Sequence, residues 1–152
     1  MEIKRIGVLT SGGDAPGMNA AIRAVVRSGI YRGFQVYGIR KGYEGLLNGE
    51  MFEMNLRSVS EIISRGGTIL QTSRSKEFNS PEGVKRAARM AEVFKLNAIV
   101  VIGGDGSFRR ARSCAGGGKR HRNSGYDRQR HRLHGLYDRI RYGSEYRERR
   151  DR

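Results

Sequence analysis

Cysteine is almost missing from this chain. Cys114 is the only one, so no internal disulfide can form and nothing argues for secretion. No apolar stretch approaches the length of a membrane span, and the first residues lack the apolar core of a signal peptide. These absences predict a soluble, cytoplasmic protein with no membrane partner. The three histidines, His121, His131 and His134, together with Cys114 match no closed zinc spacing. Proline is limited to two residues, both at boundaries: Pro16 in a turn-rich stretch and Pro81 directly after Ser80. Acid is scarce against base, with 15 Asp+Glu against 30 Lys+Arg and a formal net charge of +15.

That charge is unevenly spread over the 152 residues, which suffice for one modest domain. Residues 1–108 hold 15 basic and 10 acidic side chains, a net of +5, whereas residues 109–152 hold 15 and 5, a net of +10. The two parts therefore need separate readings.

The first part has the grammar of an α/β domain. Ile6 to Thr10 reads as a strand and runs into Ser11-Gly12-Gly13-Asp14-Ala15-Pro16-Gly17, dense in turn formers. Met18, Ala21, Ile22, Val25 and Val26 follow at helical spacing, Gly33 punctuates the end, and Phe34 to Ile39 alternates as a second strand. This is a βαβ unit, which implies a parallel, Rossmann-like sheet with flanking helices. Lys41 to Leu56 reads as irregular, Ser58 to Arg65 as a short helix with a Ser58–Glu61 capping box, and Ile69-Leu70 as a brief strand. Ser80-Pro81-Glu82 opens a helix whose stripe is Val84, Ala87, Ala88, Ala91 and Phe94. Ala98 to Ile102 is a short, uncharged, β-branched strand that empties into Gly103-Gly104-Asp105-Gly106-Ser107. Two glycine loops, each directly after a strand, would share the carboxyl edge of one sheet, where open α/β sheets bind ligands.

The residue types in those loops suit phosphate. Glycines let backbone N–H groups approach phosphate oxygens. A carboxylate such as Asp105 can hold the Mg²⁺ that triphosphates carry. The bland alternative is a strand-to-helix turn of small residues, and the Gly-Gly-Asp-Gly pattern also occurs in NAD kinases and lipid kinases.

Thr10 to Asn19 separates this chain from those kinases: it resembles the opening loop of bacterial ATP-dependent 6-phosphofructokinases. Gly103 to Ser107 resembles their second phosphate loop, and Arg65-Gly66-Gly67-Thr68 with Thr72-Ser73-Arg74 resembles the segment between. The resemblance covers residues 1–108, the expected N-terminal ATP-binding part. It implies transfer of the γ-phosphoryl group of ATP to fructose 6-phosphate, the glycolytic step that yields fructose 1,6-bisphosphate. It also implies Mg²⁺ at Asp105. Gly13, Tyr43, Arg74, Ser75, Gly104, Asp105, Gly106 and Ser107 would form the ATP site. Arg74 would be the catalytic side chain, its guanidinium forking onto the transferring group. Tyr43 falls where the family packs a ring near adenine, and Gly106 where pyrophosphate-using relatives tend to carry a bulkier acid. An allosteric site for ADP or a similar effector, at a subunit interface of a homotetramer, would use Arg23, Ala24, Val25, Val26 and Arg27. Its other wall would be Leu56, Arg57, Ser58, Val59, Ser60 and Glu61. The competing reading for Arg23 and Arg27 is a solvated helix face.

From Arg109 the grammar stops. Apolar periodicity of either kind is missing, and arginine recurs to Arg152, a composition that predicts a disordered tail. Arginines interleaved with Tyr126, Tyr137, Tyr142 and Tyr146 can hold nucleic acid, a second function class, but charge alone makes such binding non-specific. The family instead continues to a motif Pro-Gly-Thr-Ile-Asp-Asn-Asp, whose first aspartate is the general base for the sugar hydroxyl. Read one base later, the codons for Gly125-Tyr126-Asp127-Arg128-Gln129-Arg130-His131-Arg132 permit Gly-Thr-Ile-Asp-Asn-Asp-Ile. Residues 109–152 are thus read as a frameshifted translation, and the chain as a truncated, inactive form of the enzyme.

Overall fold

A computed structural model describes residues 4–104, 106 and 107. Asp105 and the tail from residue 108 onward lie outside them, so the expectations for Asp105 and for residues 109–152 find no structural counterpart. The elements run β1 (Arg5–Thr10), α1 (Met18–Tyr31), β2 (Gln35–Ile39), α2 (Gly42–Asn48), β3 (Met51–Met54), α3 (Pro81–Val93) and β4 (Ala98–Ile102). Single 3₁₀ turns at Arg57–Val59 and Glu77–Asn79 interrupt the long connection between β3 and α3.

The sheet order is β3-β2-β1-β4. β1 pairs in parallel with β2 on one side and β4 on the other, in the registers Leu9↔Ile39 and Thr10↔Ile102. The expected βαβ unit and parallel sheet are present. β3, however, is antiparallel to β2, so the sheet is mixed.

Central β1 explains the layering. Its side chains alternate faces, and Val8 and Leu9 are both fully buried. Val8 joins Ile22, Val26, Val36, Met54, Val59, Ile62 and Leu70 under α1. Leu9 joins Ile39, Tyr43, Leu46, Leu47, Phe78 and Ala87 under α2 and α3. The fold is therefore helix, sheet, helix. Ile22 and Val26, each contributing roughly 1.5–3 kcal/mol by full burial, anchor α1 to its face.

Three local expectations are corrected. Lys41 to Leu56 is not irregular, since it holds α2 and β3. Ser58 to Arg65 is not a helix, because Glu61 has a left-handed φ of 55°. The real local organiser is Asn55, whose Oδ1 accepts from the backbone N of Arg57 (2.9 Å) and of Ser58 (3.0 Å). Ile69-Leu70 forms no strand. The start of α3 is as expected: Ser80 Oγ accepts from Gly83 N at 3.0 Å, with Pro81 in the first turn.

Candidate functional site

The register Thr10↔Ile102 puts the ends of β1 and β4 side by side, so their loops leave the sheet together. Ser11 N donates to Ile102 O at 2.9 Å, extending the pairing by one residue. Beyond it the loops touch. A Cβ on Gly103 would strike the carbonyl oxygen of Ser11, so only glycine allows this approach. A Cβ on Gly12 would lie 3.5 Å from Ser107 Oγ and 4.0 Å from Gly104 N. Ser107 N donates to Gly104 O at 2.9 Å and closes the second turn, and Ser107 itself is buried.

Gly13, on the first loop, and Gly104 and Gly106, on the second, face outward. Cβ positions on Gly13, Gly104 and Gly106 would each meet nothing within 4 Å, and all three residues are exposed. Open glycine backbone on two converging loops leaves room for an anionic group to approach the main chain.

A third segment is stapled to the same edge by buried polar side chains. Thr10 Oγ1 donates to Gln71 O at 2.9 Å and lies 3.0 Å from Thr68 Oγ1. Asn19, 2% exposed, donates from Nδ2 to Arg65 O (3.1 Å) and accepts at Oδ1 from Ile69 N (2.9 Å). Lys41 N donates to Leu70 O at 2.8 Å. Residues 65–71 are thus laid across the ends of β1 and β2, and Thr72-Ser73-Arg74 departs from there. Arg74 is exposed, and among the described residues no hydrogen bond or ion pair engages its guanidinium. Ser75 is buried, and its Oγ accepts from Phe78 N at 3.2 Å, within the 3₁₀ turn Glu77–Asn79. Thr10 and Asn19 belong to the motif read from sequence, but their stapling roles had no one-dimensional signal.

Tyr43 sits in the first turn of α2 and not in a loop. It is 2% exposed, stacks on Phe78 with ring centroids 4.2 Å apart, and donates from Oη to Ser107 O at 2.7 Å.

The eleven residues of the expected effector site fall on two neighbouring elements, since α1 packs against the turn at Arg57–Val59. Arg23 and Arg27 are one turn apart on α1, half-buried and exposed respectively, and Ala24 is exposed. Leu56, Arg57, Ser60 and Glu61 are exposed, with Ser58 half-buried. Val26 and Val59 differ: both are fully buried in the cluster under α1, with Val25 packed at its margin. The side chains of Val26 and Val59 serve the core, leaving only their backbone for a ligand.

Mixed sheet, helices on both faces and two glycine loops meeting at the carboxyl edge define an α/β protein of the kind that takes its ligand at that edge. The family model for phosphofructokinase matches residues 5–119. The chain belongs to the phosphofructokinase family. It is 62% identical over 113 residues to the ATP-dependent 6-phosphofructokinase of Clostridium tetani, covering 74% of this chain and 35% of that protein. The corresponding protein of Alkaliphilus metalliredigens gives the same figures. The chain thus spans about a third of the length of these relatives. The phosphofructokinase of Saccharomyces cerevisiae superposes with a TM-score of 0.72 at 46% identity, over 74% of this chain and 15% of that one. The family match ends eleven residues beyond Phe108, where the motif resemblance read from the sequence stops.

Proposed function

We propose that this chain carries the nucleotide-binding part of an ATP-dependent 6-phosphofructokinase, which transfers the γ-phosphoryl group of ATP to fructose 6-phosphate. The observation that carries this is the convergence of two glycine loops with Gly13, Gly104 and Gly106 open to solvent. Their backbone, with Ser107, would line the triphosphate, and Arg74 would reach the transferring group as a charge-assisted fork. Tyr43 and Ser75 would support the site from beneath.

Mg²⁺ takes one or two carboxylates and completes its shell with phosphate oxygens and water. A single carboxylate between glycines in the sequence fits that demand, and Asp105 would supply it. When bound, the ion offsets charge on the phosphates.

Beyond this edge, Arg23, Arg27, Arg57 and Glu61 would form the effector surface for ADP or a similar nucleotide, at an interface of a homotetramer in the cytoplasm. Residues 109–152 would be the frameshifted remainder of the gene, and the base that activates the sugar hydroxyl would be encoded there out of frame.

The test exploits Gly13. Its φ is not left-handed and a Cβ there meets nothing, so Gly13→Val leaves the fold intact and puts bulk where phosphate would lie. Titration calorimetry with MgATP should show binding by the parent chain and none by Gly13→Val, at unchanged thermal stability. Equal binding by both would overturn the phosphate site.

A further inference from the structure

We infer that Tyr43 is a positioning residue whose hydroxyl sets the second glycine turn against the first; the functional half of this inference rests on the phosphate-site reading above.

The geometry begins at Gly42. A Cβ there would lie 2.7 Å from Thr10 O, so α2 starts directly against the last residue of β1. Tyr43 is the next residue, and its ring runs inward to stack on Phe78 at an interplanar angle of 26°. The ring alone would satisfy this apolar cluster, and a phenylalanine would fill the same space. The hydroxyl adds a directed bond, donating to the carbonyl of Ser107 at 2.7 Å.

Ser107 is, with Gly103, a residue through which the two loops meet. Its N–H closes the turn on Gly104 O, and its Oγ lies where a Cβ on Gly12 would sit 3.5 Å away. Tyr43 therefore grips the turn from the helix layer while the outward side, Gly104 and Gly106, stays open. Losing the hydroxyl would leave a buried carbonyl without this partner, and the turn would be free to shift. Because Tyr43 is only 2% exposed, little of its ring is available to stack on a bound base.

The full 152-residue chain and Tyr43→Phe are compared in two measurements. Backbone amide exchange without nucleotide should quicken about tenfold at Gly104, Gly106 and Ser107 in the variant, while β1 and α2 keep parent rates. Mg-tripolyphosphate should then bind more weakly to the variant, whereas adenosine binding stays unchanged. Phe78→Leu keeps the hydroxyl and should lower overall stability instead. Unchanged exchange in the turn, or equal acceleration across β1 and α2, overturns the assignment. So does an adenosine loss matching the tripolyphosphate loss, which would place the ring at the base. A parent chain that fails to bind tripolyphosphate sinks the phosphate-site reading itself, and the exchange profile then still decides whether Tyr43 holds the turn.

Discussion

At the scale of single residues, the site edge is held by polar side chains that are almost wholly buried. Asn19 satisfies one carbonyl and one N–H of the segment that leads to Arg74. Removing it takes the partner from both groups, and because both bonds are only part-buried the cost falls at the low end of the about 1–3 kcal/mol of a buried orphan. Asn19→Ala should therefore lower the urea midpoint with an unchanged slope, and it should loosen residues 65–69 before the sheet. The sequence shows Asn19 as the last letter of a motif, not as a clamp. Its partners are 46 and 50 residues away, and such pairings leave no trace in local spacing. Arg23 and Arg27 show the converse. Their spacing announced a shared helix face, but not that Val26 between them would be taken by the core.

At the scale of elements, legibility followed length and punctuation. α1 and α3 have a periodic stripe and a marked boundary, and both were readable. α3 starts where Ser80 accepts from Gly83 N, while Ser80 Oγ also donates to Glu77 O at 2.8 Å. Ser80→Ala removes both bonds and should cost about 1 kcal/mol, seen as a lower thermal midpoint with the same far-UV spectrum. α2 was invisible for a physical reason. It has seven residues, too few for a period, and its glycines imitate a loop. They are demanded from outside the helix, because a Cβ on Gly45 would run into the carbonyl of Arg40. β3 follows from the same miss, since it returns antiparallel to β2 only because α2 reverses the chain between them.

At the scale of the whole molecule, composition divides the chain into a nearly balanced first part and an arginine-rich second part. The family match ends at residue 119, eleven residues into the arginine-rich part. If the second part is out of frame, codons across residues 109–152 should spell the Thr-Ile-Asp-Asn-Asp motif when read one base later. Codons that cannot spell it would sink the frameshift. The 152-residue polypeptide alone should then give no fructose 1,6-bisphosphate in a coupled assay. A chain with the frame restored after Phe108 should regain turnover. Turnover by the unrestored chain, purified free of host enzyme, would show that the missing aspartate is dispensable.

What the sequence determined by itself was the chemistry on offer: two glycine loops after two strands, a carboxylate in one of them, and the order of motifs that marks the family. These are local facts, because a turn glycine or a cap serine acts within a few residues. The tertiary structure alone decided which loops meet and what holds them. The sheet order, with β1 between β2 and β4, joins residues 10 and 102, and no local rule sets that pairing. From it follow the contact of Gly103 with Ser11, the reach of Tyr43 to Ser107, and the open backbone of Gly13, Gly104 and Gly106 at one edge.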